Sequence, residues 1–243
     1  MGWGSAYKIT VLLWAAATLG HADSARAQDF GELERTKNWC EARVDRLQSV
    51  RRESDALECA NFYFFHQQLE SDLTPFAKVL AYTQRAIEIN PANYDAYNTV
   101  VWLKYSHWVM YHENPATFAH FKDGLEVAYQ WADIAEQRFY HHALALKKLG
   151  DQLNPIWYHY DPSLKERVLR LYTRSESLSR DKDLIVRLRL NISHIHRLSG
   201  DREAAKRSYL WVLEADPGNK IAQKFLRELE SGVQEYARSY AKR

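Results

Sequence analysis

The chain has 243 residues, with 33 Lys and Arg against 31 Asp and Glu, for a formal net charge of +2. So even a balance gives no electrostatic case for nucleic acid as the main partner. The nine glycines are too scattered to build the closely spaced loops that cradle phosphate.

Residues 1–27 read as a secretion signal. Lys8 supplies the positive start, residues 9–19 the apolar run, and Ala25-Arg26-Ala27 a small-residue cleavage site, with cleavage expected after Ala27. The apolar run falls well short of the ~20 residues a membrane helix needs. No transmembrane span remains once the signal is removed, and retention as an uncleaved anchor is the alternative. The expected location is periplasmic or secreted.

Residues 28–72 read as an N-terminal helical hairpin that carries both cysteines, Cys40 and Cys59. In an exported chain two cysteines pair more often than they stay free, and a bridge here would stabilise by roughly 3 kcal/mol through the unfolded state. Helix geometry pulls the other way. Asp55 with Glu58 reads as a helix start, and two straight helices meeting near residues 52–54 would hold the cysteines apart. Pairing therefore requires the first helix to end earlier, near residues 48–50. Asn61-Phe62-Tyr63-Phe64-Phe65 places four consecutive aromatics in the second helix.

Residues 73–243 read as a succession of helices, and the alternating strand pattern is missing throughout, so the class is all-α. Thr74-Pro75 opens a helix by cap and first-turn proline. A second follows over residues 94–111, and Asn114-Pro115 restarts a third by the same logic. Residues 125–137 carry Ala128, Ala132 and Ala135 on one face. The next helix is expected over residues 138–149, ended by Gly150 and followed by an aromatic link with Pro155, Trp157, Tyr158 and Tyr160. A helix over residues 162–178 leads to the most regular stretch, residues 186–219. There Leu188, Ile192, Ile195 and Leu198 make an apolar stripe at helical spacing. Arg187, Asn191, His194 and Arg197 repeat it one residue earlier as a polar stripe. Gly200-Asp201 breaks the chain before a second helix containing Ala205, Tyr209, Val212 and Leu213. From residue 220 onward Ile221, Phe225, Leu226, Leu229, Val233, Tyr236 and Tyr240 share one side, as in a helix that caps a stack.

Residues 186–219 resemble a tetratricopeptide (TPR) repeat, W-x2-L-G-x2-Y, A-x3-F, P. Ala205 and Pro217 match, Tyr209 and Ile192 are like for like, and Ser193 stands in the glycine slot. Arg189 and His196 depart from the Trp and Tyr positions. AIEINPANYDAY at residues 86–97 repeats the grammar of VLEADPGNKIAQ at 212–223. The distance from Pro91 to Pro217 exceeds three periods of about 34 residues. The excess falls at residues 112–118 and 151–161. The resemblance implies an irregular TPR-like superhelix with a C-terminal cap.

Of catalytic signatures the chain has no H-E-x-x-H, G-x-S-x-G, G-x-G-x-x-G or C-x-x-C. His107 and His112 stand five apart, His194 and His196 two apart, and His141 and His142 are adjacent; none has the i, i+3 or i, i+4 spacing of helical metal ligands. His120 and His159 are likewise read as ordinary core or surface histidines, and neither metal nor cofactor is expected. Asn191-Ile192-Ser193 fits the glycosylation triplet, but inside a helix. Two functional readings stand. One is an exported TPR-like scaffold, not an enzyme, that binds a protein or peptide partner in its concave groove. The other is an exported enzyme or a small-ligand- or metal-binding helical domain built from the His- and aromatic-rich middle, residues 102–160. For the first, TPR register implies a groove with Asn98, Trp102 and Tyr105 toward one end and Tyr140, His141 and Lys147 between. Arg187, Asn191, His194 and Arg197 complete its basic end. Guanidinium groups suit carboxylates, so the expected partner is acidic or presents a free carboxylate.

Overall fold

Side-chain caps mark where several of the helices begin. Asn93 accepts from the backbone of Asp95 and Ala96 at 2.9 and 3.1 Å, Asp181 from Asp183 and Leu184 at 2.9 and 3.3 Å, and Asp201 from Ala204 at 3.1 Å. Each cap satisfies amide groups that a helix start leaves without partners. The computed structural model describes residues 30–66 and 74–231. The signal segment, its cleavage site, the boundary expected at residue 72, and Val233, Tyr236 and Tyr240 lie outside the described residues.

The described residues form helices joined by turns and short 3-10 segments, with no strand among them. In chain order the helices are α1 (Phe30–Glu41), α2 (Glu53–His66), α3 (Thr74–Ile89), α4 (Tyr94–Glu113), α5 (Gly124–Arg138), α6 (Ala143–His159), α7 (Lys165–Leu178), α8 (Lys182–Leu198), α9 (Arg202–Ala215) and α10 (Lys220–Ser231). The chain divides into two compact units, Met1–Arg138 and Phe139–Arg243.

In the first unit, α2 packs on α3 and α5 on α4, with α3 against α4 between the pairs. Cys40 and Cys59 are joined by a disulfide with Cα atoms 5.6 Å apart. The geometric obstacle is removed because α1 stops at Glu41, well before residues 48–50, and the chain turns through a 3-10 segment, Val44–Ser49. Tyr82 donates to the Cys40 carbonyl at 2.5 Å, and Arg85 donates to the Val50 carbonyl through Nε and Nη2 at 3.0 and 2.9 Å. Arg85 thus satisfies a carbonyl that the irregular turn leaves open, and Tyr82 adds a second donor to the Cys40 carbonyl, which the Arg43 amide already reaches at 3.1 Å. Phe62, Tyr63 and Phe64 are all buried, in one core with Val79, Tyr82, Trp102 and Leu103. The disulfide hairpin thus shares its core with α3 and α4. The next helix starts later than Pro115. Asn114 accepts from the Thr117 amide at 3.4 Å in a turn, and α5 begins at Gly124. A Cβ at 124 would meet the Lys104 carbonyl at 2.7 Å and the Trp108 amide at 2.9 Å. The missing side chain there lets α5 touch α4 backbone to backbone, and buried Ala128, Ala132 and Ala135 continue the close contact.

In the second unit, α6 pairs with α7 and α8 with α9, while α7 packs on α8 and α10 on α9. The helix expected to stop at Gly150 instead runs through both Gly150 and Pro155 to His159. It starts at Ala143, where the His142 ring accepts from the Ala145 amide at 3.2 Å. Gly150 is interior because the Tyr172 ring lies against it: a Cβ would sit 2.7 Å from Tyr172 Cε1. The stretch read as an aromatic link is the end of this helix, with Trp157 buried. Leu188, Ile192 and Ile195 of the apolar stripe are buried, and Ala205 is at 0% exposure where α9 meets its neighbours. Arg189, in the Trp position of the repeat pattern, pairs with Glu176 of α7 at 2.6 Å and lies over the Trp211 ring of α9 at 5.1 Å. Arg202 donates to the Leu229 carbonyl, tying α9 to the far end of α10.

Candidate functional site

Four helices of the second unit bring one polar and one apolar face together. Residues four and three apart on a helix share a face, so Arg187, Asn191 and His194 of α8 stand in a row. Opposite them α10 presents Ile221 and Phe225, again four apart. Lys147 of α6, Leu190 of α8 and Tyr209 of α9 close a cleft of about 240 Å³.

The apolar wall is built in layers. The Tyr209 and Phe225 rings stack with centroids 5.8 Å apart, and the His194 ring lies 5.8 Å from Phe225. The Arg197 guanidinium covers Phe225 at 4.2 Å and reaches His194 Nδ1 at 3.2 Å. Burial first, and the Arg197 charge second, push the His194 ring down to about 4, so it is neutral at neutral pH. Burial pushes the Tyr209 hydroxyl up to about 12.

Behind the polar face lies a buried carboxylate. Asp151 of α6 is 8% exposed. Its Oδ1 accepts from the Tyr172 hydroxyl at 2.9 Å and from Asn191 Nδ2 at 3.2 Å, and its Oδ2 pairs with the Lys147 ammonium. Burial raises the Asp151 carboxyl above the usual range, against the pull of Lys147 and the Tyr172 hydrogen bond. The same burial, with the Asp151 charge beside it, holds the Tyr172 hydroxyl well above its ordinary value.

Of the residues expected on a groove, Lys147, Arg187, Asn191 and His194 line this cleft. Arg197 acts through His194 and Phe225. Tyr140 and His141 stand elsewhere on the unit, exposed, with the Arg174 guanidinium 4.6 Å over the Tyr140 ring and 3.4 Å from His141 Nδ1. Asn98, Trp102 and Tyr105 belong to the first unit and are buried, at 4%, 8% and 6% exposure. Their placement on an open face is corrected: α3 and α5 both pack on α4, and Trp102 meets Phe64 edge to face at 5.2 Å. Sequence reasoning misses Tyr209, Ile221 and Phe225 as site residues because their helical spacing reads equally well as packing and capping. A helix that stops at Gly150 puts Asp151 in a loop. Within a continuous α6 its i, i+4 relation to Lys147 is a readable signal.

In the first unit His107 stacks on Phe121 at 4.0 Å, and burial, with Lys104 and His120 nearby, pushes it down to about 3. No group of three or more metal-ligating side chains occurs among the described residues, and no helix there is long and apolar enough to cross a membrane. No protein-family model matches the chain, and no curated protein sequence does.

Proposed function

We propose that this chain is an exported TPR-like scaffold that binds a protein or peptide partner in the second-unit cleft. The observation that carries the reading is the cleft's two-sided character, with Lys147, Arg187, Asn191 and His194 facing Leu190, Ile221 and Phe225. Such a surface suits a side chain or chain end that offers a carboxylate beside an apolar group, since guanidinium bonds the one and ring faces cover the other. Support for a TPR-like arrangement comes from the succession of paired helices, the buried small residue at Ala205 and the resemblance of residues 186–219 to the repeat. The disulfide accords with an oxidising compartment.

Partner capture from envelope and secreted fractions tests it, with the wild-type chain beside Arg187→Ala. Arg187 is exposed, so its removal leaves the packing intact. Captured partner should fall about tenfold or more, the loss expected of a central charged anchor, and raised salt should lower it too. If Arg187→Ala retains every wild-type partner at wild-type yield, the cleft is not the binding site.

A further inference from the structure

The charge of the cleft differs from what its lining residues suggest. Lys147 and Arg187 would together make a doubly cationic site fit for clustered acids. Lys147 is already paired with Asp151, however, and the two form a neutral ion pair. Asn191, the other strong donor on the polar face, turns its Nδ2 toward the same carboxylate at 3.2 Å. His194 is uncharged at neutral pH. Lys224, near the rim at 5.5 Å from the Phe225 ring, pairs with Glu228 at 3.8 Å. Arg187 donates through Nε to the Asp183 carbonyl at 3.3 Å and meets no carboxylate among the described residues.

Resting on the binding reading above, we infer that Asp151 is a specificity-determining positioning residue. By holding Lys147 and Asn191, with Arg197 already turned onto the Phe225 ring and His194 Nδ1, it leaves Arg187 as the cation offered to a ligand, so the cleft accepts one carboxylate beside an apolar group and discriminates against clustered acids. The ionised Asp151 acts in two ways. It withdraws donors that a second ligand carboxylate would need, and it cancels the Lys147 charge that would otherwise attract one. Tyr172 completes the arrangement by binding the same oxygen as Asn191, so the carboxylate is fixed by donors from α6, α7 and α8.

Fluorescence anisotropy with the purified full chain tests this using two labelled, C-terminally amidated Gly/Ser octapeptides. One carries a single Glu beside a Leu, the other three consecutive Glu beside a Leu. The wild-type chain should bind the one-acid peptide at least as tightly as the three-acid peptide. Asp151→Asn keeps an acceptor for Tyr172 and frees the Lys147 charge. It should tighten the three-acid peptide by about tenfold, the worth of one charge-assisted contact, with the one-acid peptide little changed. Adding Lys147→Gln to Asp151→Asn should abolish that gain, which a general loosening of the fold would not do. An unchanged ratio in Asp151→Asn, or a gain that survives the double change, overturns the inference. Should Asp151→Asn fail to fold, the wild-type ratio decides: a preference for the three-acid peptide of about tenfold or more refutes it. Arg187→Ala separates the two levels. If it weakens the one-acid peptide while Asp151→Asn alters nothing, only the role of Asp151 fails. If the wild-type chain binds neither peptide, the cleft reading falls, and this inference with it.

Discussion

Replacing Gly150 by alanine sets two opposing effects against each other at one position. Gly150 lies inside α6, where alanine is favoured over glycine by about 1 kcal/mol. Against that stands the Tyr172 ring, which a Cβ would meet at 2.7 Å from Cε1, 3.0 Å from Cδ1 and 3.2 Å from Cζ. The ring has no room to retreat, since Tyr172 is at 0% exposure and its hydroxyl is held by Asp151 at 2.9 Å. Overpacking of this kind costs about 1–3 kcal/mol. Displacing a buried hydrogen bond to a charged acceptor adds roughly 1.5–3 kcal/mol. The clash outweighs the propensity gain, and Gly150→Ala should lose about 2 kcal/mol or more. In thermal unfolding followed by circular dichroism this appears as a fall in Tm on the order of 5 °C. Gly218→Ala is the control. Its Cβ would meet only Asp216 Oδ1, at 3.6 Å, so Tm should hold or rise slightly through the unfolded state. A Gly150→Ala variant as stable as the parent would show that the ring yields and that the close approach is not what placed glycine there.

Two further outcomes are expected. Replacing both Cys40 and Cys59 by serine should cost roughly 3 kcal/mol in denaturant unfolding, and an unchanged midpoint would mean the bridge adds nothing. His194 has a folded-state value pushed down from 6.5 to about 4, so the folded chain binds fewer protons there than the unfolded one. Its contribution is present above pH 6.5 and lost as pH falls toward about 4; thermal melts across that window should decline less steeply in His194→Gln, and parallel curves would contradict the assignment.

Much of the fold was legible because it rests on local spacing. Ala128, Ala132 and Ala135 declared a close helix contact, and Gly200-Asp201 declared the break before α9. The stripe Leu188, Ile192 and Ile195 declared its buried face. What failed depended on partners distant in sequence. Gly150 and Pro155 are punctuation by local rules, and nothing nearby reveals that a ring from Tyr172 needs the space. Asn98, Trp102 and Tyr105 were placed by register borrowed from α8, yet register says nothing about how many neighbours cover a helix, and α4 is covered by two. The cleft was half legible for the same reason. Its polar row lies on one helix, whereas its aromatic wall and its buried carboxylate come from three others.

The turns that first suggested a repeat differ in one respect that bears on how the chain could be trimmed. Between α9 and α10, Asn219 Nδ2 donates to Asp216 at 2.9 Å, so that turn carries its own carboxylate. Between α3 and α4 the corresponding residue is Asn90, and the carboxylate comes from Glu53 at the start of α2, bonded by Asn90 at 2.6 Å and also by Asn93. The C-terminal turn is therefore a portable joint, complete within its four residues. The N-terminal one borrows its keystone from the disulfide-bonded segment. Cutting that segment away to obtain a minimal repeat array would leave two asparagines without their acceptor and loosen the entry to α4. An excision meant to simplify the chain should keep Glu53, or write an aspartate into position 90.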